Sequence, residues 1–593
     1  MKQQFIFSFI TGLIFFTGCS QVSTQKPKQN INPEITATEI LDHIKYLSDD
    51  KLEGRFPGSK GSEDAAEYIV NHFKTRGIEP AGSDGFFQSF DFITGIDYDG
   101  ENHLVINDTW YKKGIDYIPL EFSSSTAIES EVVFSGYGFS IDDSVQWNDY
   151  DNSDVEGKWI LVFRGGPDSD SPHSDFAKHT PLRKKAMLAR DNKAAGILFV
   201  NQAGDDELIP LKHSPNSTAI GISVLHISRS IADELVDGRL ETLQKELDEN
   251  LKPNSFSITE MVNAEVSLKK EIIEVPNILG MIPGTDPVLK NEFIIIGAHF
   301  DHLGYGGSGS GSLAPDTAAI HNGADDNASG TAGILELAEK LSFNKNLLKR
   351  SVILMAYNAE EEGLLGSKFF VNNPTVDLSS VAVMINMDMI GRMSDDKVTI
   401  GGTGTSPEFE TLLNDVNEKN GIQLKMSPEG YGPSDHASFY VNDVPVLFFF
   451  TGTHENYHKP SDDWEHINAE GEKQIVDLVY DLTIKLSRLD KKPVFTEAGP
   501  KEPNQTRRSF KVTFGVIPSY GSQVEGMEID GAKKEGPAGK AGMKKGDVII
   551  EIGGKEIKNI YDYMYRLGEL KPGEEVEVKI KRGEELLTLK VNL

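Results

Sequence analysis

The stretch Ile294-Ile295-Ile296-Gly297-Ala298-His299-Phe300-Asp301-His302 limits what this chain can fold into more than any other. Three consecutive β-branched residues that stop at a glycine read as a buried strand, and the His-x-Asp that follows then lies at the strand's carboxyl end. A metal site is the first expectation. His299 would coordinate through one ring nitrogen, and Asp301, two residues on and so on the same side of an extended chain, could accept the other N–H.

The text downstream repeats the pattern. Apolar strands at Val352 to Ala356, Val381 to Ile385 and Val446 to Phe450 alternate with helical periodicity at Thr331 to Leu341, Gly366 to Val371, Pro407 to Asn420 and in the long run carrying Ile475, Leu478, Val479, Leu482 and Leu486. Strands alternating with helices predict an α/β fold, a mostly parallel sheet sandwiched by helices. At or just past the strand ends stand His299 with Asp301, Asp326 in a glycine-flanked loop, Glu360-Glu361, Asp388, and Tyr457-His458. The carboxyl edge of such a sheet collects residues distant in sequence, so two histidines and three carboxylates can converge there. That donor set suits zinc, and five ligands plus a spare glutamate suggest two ions sharing one carboxylate.

Composition narrows the alternatives. Asp plus Glu number 91 against 59 Lys plus Arg, a net charge of -32, which argues against nucleic acid because phosphates would be repelled. Cys19 is the one cysteine, so any metal is held by histidine and carboxylate. Its place matters too: Lys2, an apolar run from Phe5 to Phe16 and Thr17-Gly18-Cys19 resemble a bacterial lipoprotein signal. That reading makes 1–18 the signal peptide, Cys19 a lipid anchor to the membrane, 19–34 a tether, and the protein an exported lipoprotein facing the periplasm or cell exterior.

With 593 residues the chain should hold roughly three or four domains. The part from 128 to 271, with Gly136-Tyr137-Gly138 and Lys193-Ala194-Ala195-Gly196-Ile197, resembles a β-rich protease-associated (PA) domain, which implies a role in substrate access. Residues 490–508 read as a linker. From 509 to 593, Phe514-Gly515-Val516 and Ala541-Gly542-Met543-Lys544-Lys545-Gly546-Asp547-Val548-Ile549 resemble a PDZ-like domain, which implies a peptide or protein ligand added as a strand.

Taken in order, Gly297-Ala298-His299-Phe300-Asp301, Gly323 to Gly330, Glu360 to Ser367, Asn386-Met387-Asp388-Met389-Ile390-Gly391 and Tyr457-His458 resemble metallopeptidase family twenty-eight, the two-zinc aminopeptidases with the zinc exopeptidase fold. The likeness spans 35–127 and 272–489 as the catalytic domain. It implies that His299 and Asp388 bind one Zn2+, Glu361 and His458 the other, and Asp326 bridges. It also implies that Glu360 is the general base, that Asp301 supports His299, and that Tyr457 steadies the oxyanion. The substrates implied are peptides with a free N-terminus, hydrolysed through a two-metal-activated water. A carboxypeptidase or glutaminyl cyclase on the same fold, or a non-catalytic peptide-binding scaffold, are the alternatives. His302, His321, Asp435 and His436 lie near these motifs and are read as supporting residues.

Overall fold

The computed structural model describes residues 34–593 except 143–145, 152, 169–175, 214–217, 308, 500, 502–511, 519–523, 533, 535, 559–561, 564–565 and 568–569. The leader, Cys19 and nearly all of the tether therefore lie outside the described residues. Among the described residues no helix is long and apolar enough to cross a membrane.

A nine-stranded mixed sheet organises the catalytic part. Its centre is parallel: Ser351–Tyr357, Phe293–His299, Val381–Met387 and Val446–Phe450 lie side by side in that order, and their carboxyl ends share one edge. The flanks run antiparallel, with Leu268–Ile282 pairing with Ser351–Tyr357 on one side and Lys397–Gly401 with Val446–Phe450 on the other.

Period-two alternation explains how helices cover both faces. Ile294 and Ile296 point into a core shared with Ile40, Ile69, Ile334, Leu413 and Ile475. Ile295 points the other way, toward Phe370 and Phe439. The strand is thus apolar up to Ala298 because it is buried on both sides. Gly297 follows from the same packing: a Cβ there would meet Cε2 of Tyr357 at 2.4 Å, because the ring of Tyr357 crosses the neighbouring strand at that point.

A second, eight-stranded sheet holds Thr126–Ser135, Trp159–Phe163, Gly196–Val200, Ser223–Ile227 and Ser255–Val266, with its own core around Trp147, Trp159 and Phe163. It also takes in His103–Ile106, Thr109–Trp110 and Tyr117–Pro119. This corrects the boundaries at 127 and 271. The chain leaves the catalytic sheet at the end of Phe87–Tyr98 and returns at the start of Leu268–Ile282, where Asp99 N–H donates to Ser267 O at 2.9 Å and Ser267 N–H donates to Asn102 Oδ1 at 2.9 Å. The strands at 103–119 are short and carry no long apolar run, so patterning alone did not separate them from the catalytic part.

A six-stranded sheet with a core of Phe514, Ile529, Ile549, Val578 and Ile580 forms the C-terminal part. The stretch before it is no free linker throughout: Thr496 N–H donates to Thr405 O, Gly430 N–H to Ala498 O and Ala498 N–H to Tyr440 Oη, strapping 496–498 to the catalytic part.

Candidate metal centre

Strand and helix ends place most of the expected residues. His299 closes its strand, Asp388 follows Val381–Met387 directly, and Glu360-Glu361 begin three residues after Tyr357. Asp326 precedes the helix Gly330–Phe343, behind the left-handed Gly323 and with a cis peptide bond to Asn327. His458 comes from the long loop after Val446–Phe450.

The structure brings all of them together. His299 Nε2 lies 3.3 Å from Asp326 Oδ1, 3.5 Å from Asp388 Oδ1 and 3.9 Å from Glu360 Oε2. His458 Nε2 lies 3.2 Å from Asp326 Oδ2 and 3.1 Å from Glu361 Oε2. One carboxylate, that of Asp326, therefore turns one oxygen to each imidazole.

Asp301 departs from its expected contact. The Nδ1–H of His299 donates to the backbone carbonyl of Asp301 at 3.2 Å, and the nearer carboxylate oxygen stands off at 3.6 Å. The carboxylate instead accepts the backbone N–H groups of Glu360 at 3.1 Å and Glu361 at 3.3 Å. Asp301 thus fixes the His299 ring with its main chain and the two glutamates with its side chain. Tyr457 is half-buried, its ring stacked on His458 at 3.9 Å between centroids.

Sequence reasoning set aside or overlooked several residues that shape the site. His302 Nδ1 lies 2.6 Å from Glu361 Oε1, so His302 orients that glutamate. Asp462 Oδ2 accepts the N–H of both Asp325 and Asp326, at 2.9 and 3.1 Å, and its Oδ1 receives Arg392 at 3.1 Å. Arg55 is fully buried beneath the loops. Asp462 stands four residues after His458, a spacing that offered a hint; nothing local marks Arg55.

The electrostatics call for positive charge. Burial works against a charged His299, yet Glu360, Asp388, Asp301 and Asp326 outweigh it and hold its pKa well above the ordinary histidine range. His458 is driven to about 11 in spite of burial, by Asp326 and Glu361. Burial lifts Glu360 well above the usual carboxyl range, and Glu361, Asp435 and Asp388 add to it. Arg55, desolvated, falls to about 10 although Asp301, Asp326, Asp462 and Glu361 pull the other way.

The residues fit divalent cations. His299 Nε2 and Asp388 Oδ1 are buried without a hydrogen-bond partner and converge on each other. Donor atoms of His299, Glu360 and Asp388 all lie within 4.8 Å of one another, as do those of His302, Asp326 and Glu361. Between His302 and His458 as partner to that second set, the contacts favour His458. His302 spends Nδ1 on Glu361, whereas His458 donates Nδ1–H to Gly311 O at 3.0 Å and turns Nε2 to two carboxylates.

Fold and site together define an α/β domain built to hold metal at the carboxyl edge of its sheet. The particular family follows: residues 277–483 match the Peptidase family M28 profile and 518–593 the PDZ domain profile, so the chain carries an M28 peptidase domain followed by a PDZ domain. Aminopeptidase YwaD of Bacillus subtilis (strain 168) is 26% identical over 352 residues, 58% of this chain and 65% of that protein. A probable leucine aminopeptidase 2 of Aspergillus oryzae is 25% identical over 349 residues, 54% of this chain and 60% of the relative. The chain thus spans less than two thirds of the length of these curated relatives. Among solved structures, an aminopeptidase from Aneurinibacillus sp. strain AM-1 superposes with a TM-score of 0.45 at 20% identity, covering 80% of this chain and 98% of the other.

Proposed function

We propose that the protein is an exported zinc-dependent aminopeptidase that removes N-terminal residues from peptides at a two-ion site. His299 and Asp388 would hold one Zn2+, His458 and Glu361 the other, with Asp326 between them. The observation that carries this reading is the disposition of Asp326, one oxygen 3.3 Å from His299 and the other 3.2 Å from His458. The names of the relatives point the same way.

When bound, such ions act as Lewis acids on a peptide carbonyl and make a water molecule more acidic. The chain's own residues do the rest. Glu360, 9% exposed and with its backbone N–H donating to the Asp301 carboxylate, takes a proton from the attacking water. It then returns that proton to the leaving amine. Burial, together with the field of Asp326 and Glu361, keeps the Tyr457 hydroxyl protonated, so it can donate to the oxygen on which charge develops. The surrounding carboxylates suit the ammonium of a free N-terminus.

The second sheet is proposed as a PA-like module governing access, and the PDZ domain as the seat of a peptide or protein ligand. Residues 1–18 are proposed as a lipoprotein signal, with Cys19 anchoring the protein at the membrane and the catalytic part facing the periplasm or exterior.

Aminoacyl nitroanilides, amino-blocked peptides and carboxyl-blocked peptides, each with and without a chelator, test the reading. Chelator-sensitive cleavage of the first and third, with the amino-blocked peptide spared, is expected. Cleavage from the carboxyl end, cyclisation of N-terminal glutamine, or no turnover with two equivalents of Zn2+ bound would replace it.

A further inference from the structure

The segment Leu52-Glu53-Gly54-Arg55-Phe56-Pro57-Gly58 reads in the sequence as a turn-rich break between two helices. In the structure it runs under the metal centre. Glu53, Gly54 and Arg55 all adopt left-handed backbone, with φ of 48°, 68° and 51°. For Glu53 and Arg55 that conformation costs about 1–2 kcal/mol each, so the surroundings must enforce it.

What enforces it is a clamp. Arg55 has no solvent exposure, and its guanidinium donates Nε–H to Phe300 O at 2.7 Å, Nη1–H to Asn322 O at 2.7 Å and to Leu47 O, and Nη2–H to Gly323 O at 3.0 Å. Phe300 directly follows His299, and Gly323 stands three residues before Asp326. One planar group therefore ties the loop after one proposed ligand to the loop before the bridging one. The main chain continues the link, since His302 N–H donates to Arg55 O at 3.4 Å and Gly304 N–H to Gly54 O at 3.2 Å. At Gly54 a Cβ would meet His321 O at 2.5 Å, so the turn and the loops are in direct contact.

We propose that Arg55 is a positioning residue for the metal centre, setting the separation of His299 and Asp326 by gripping both of their loops with one guanidinium. This rests on the two-ion reading above. Two effects of Arg55 oppose each other. Its charge beside Asp326 and Glu361 disfavours cations, whereas its hydrogen bonds pre-form the ligand set. The fourfold carbonyl clamp makes the second effect dominate, because a lysine ammonium, with three donors on one atom, lacks the planar fork that reaches separated carbonyls.

The test uses the full chain stripped by chelation, with Co2+ added and followed by its visible absorption, and with Zn2+ in competition. Arg55→Lys and Arg55→Gln, checked for fold by near-ultraviolet circular dichroism, should each bind Co2+ about 10- to 100-fold more weakly than the parent, with an altered absorption band. Unchanged affinity and spectrum in Arg55→Lys, or tighter binding in Arg55→Gln, would overturn the proposal. A variant that folds only when Zn2+ is present supports it. One that stays unfolded at saturating Zn2+ overturns it, because Arg55 would then serve the whole domain. Failure of the parent itself to take up Co2+ would sink the two-ion reading and this inference together.

Discussion

The carbonyl of Gly311 accepts the Nδ1–H of His458 at 3.0 Å. This contact fixes the tautomer that leaves Nε2 facing Asp326 and Glu361, and it comes from a glycine- and serine-rich loop. The same loop closes on His458 a second time, as Leu313 N–H donates to His458 O at 2.9 Å. Gly311 has φ of +85°, where a side chain costs about 1 kcal/mol. Gly311→Ala should therefore shift the loop, weaken Zn2+ binding about 10-fold and leave the folded circular dichroism spectrum intact. Competition with a chromophoric chelator measures it, and unchanged affinity would remove the loop from this role.

Glu360→Gln separates binding from chemistry. The amide keeps the shape of the side chain and the backbone N–H to Asp301, but it cannot take a proton. Metal content should stay near that of the parent while kcat falls about 100- to 10,000-fold. Elemental analysis beside a nitroanilide assay reads both quantities. A variant with near-parental turnover would exclude Glu360 as the base.

The second sheet carries a pH signature away from the metal centre. Asp149 is fully buried, and burial raises its pKa to about 7 from an ordinary carboxyl value. A folded-state pKa above the unfolded value means the folded form binds more protons. The contribution is intact below about pH 4 and lost as pH rises through 7. Asp149→Asn strands the buried Lys185 ammonium that Asp149 faces, but it should remove the fall in stability that the parent shows across that window. Thermal midpoints at pH 4.5, 6 and 8 check it. Parallel curves for the two proteins would show that Asp149 does not titrate there.

The PDZ domain docks on the second sheet's domain through charge. Arg190 Nη1 lies 2.8 Å from Asp562 Oδ2, with 7% and 0% of the side chains exposed, and Arg566 meets Asp191 at 2.5 Å. Removing one partner of a buried pair leaves a stranded charge, costing about 3–5 kcal/mol. Arg190→Asp should loosen the docked domain and speed its release by limited proteolysis, while Arg190→Asp with Asp562→Arg should recover most of the loss. Equal protease resistance in all three proteins would mean that the pair does not hold the interface.

The features legible from the residues alone are those with a local cause. Three isoleucines before a glycine make a strand buried on both faces, and turn-spaced apolar residues make the helices that cover it. His299 and Asp388 stand at or just past strand ends, which a run of apolar residues marks, whereas the choice of Asp326, Glu361 and His458 came from the resemblance to a family. Tertiary structure alone decided what lies between those landmarks. It put the insert's boundaries at Asp99 and Ser267, gave the Asp301 carboxylate two backbone amides besides its approach to the His299 ring, and drew Arg55, His302 and Asp462 toward the ligands. The physical reason is range. Strand and helix propensities act over a few residues, but a buried polar group takes whichever partner the packed chain brings near, and the clamp from Arg55 to Gly323 spans 268 positions of sequence.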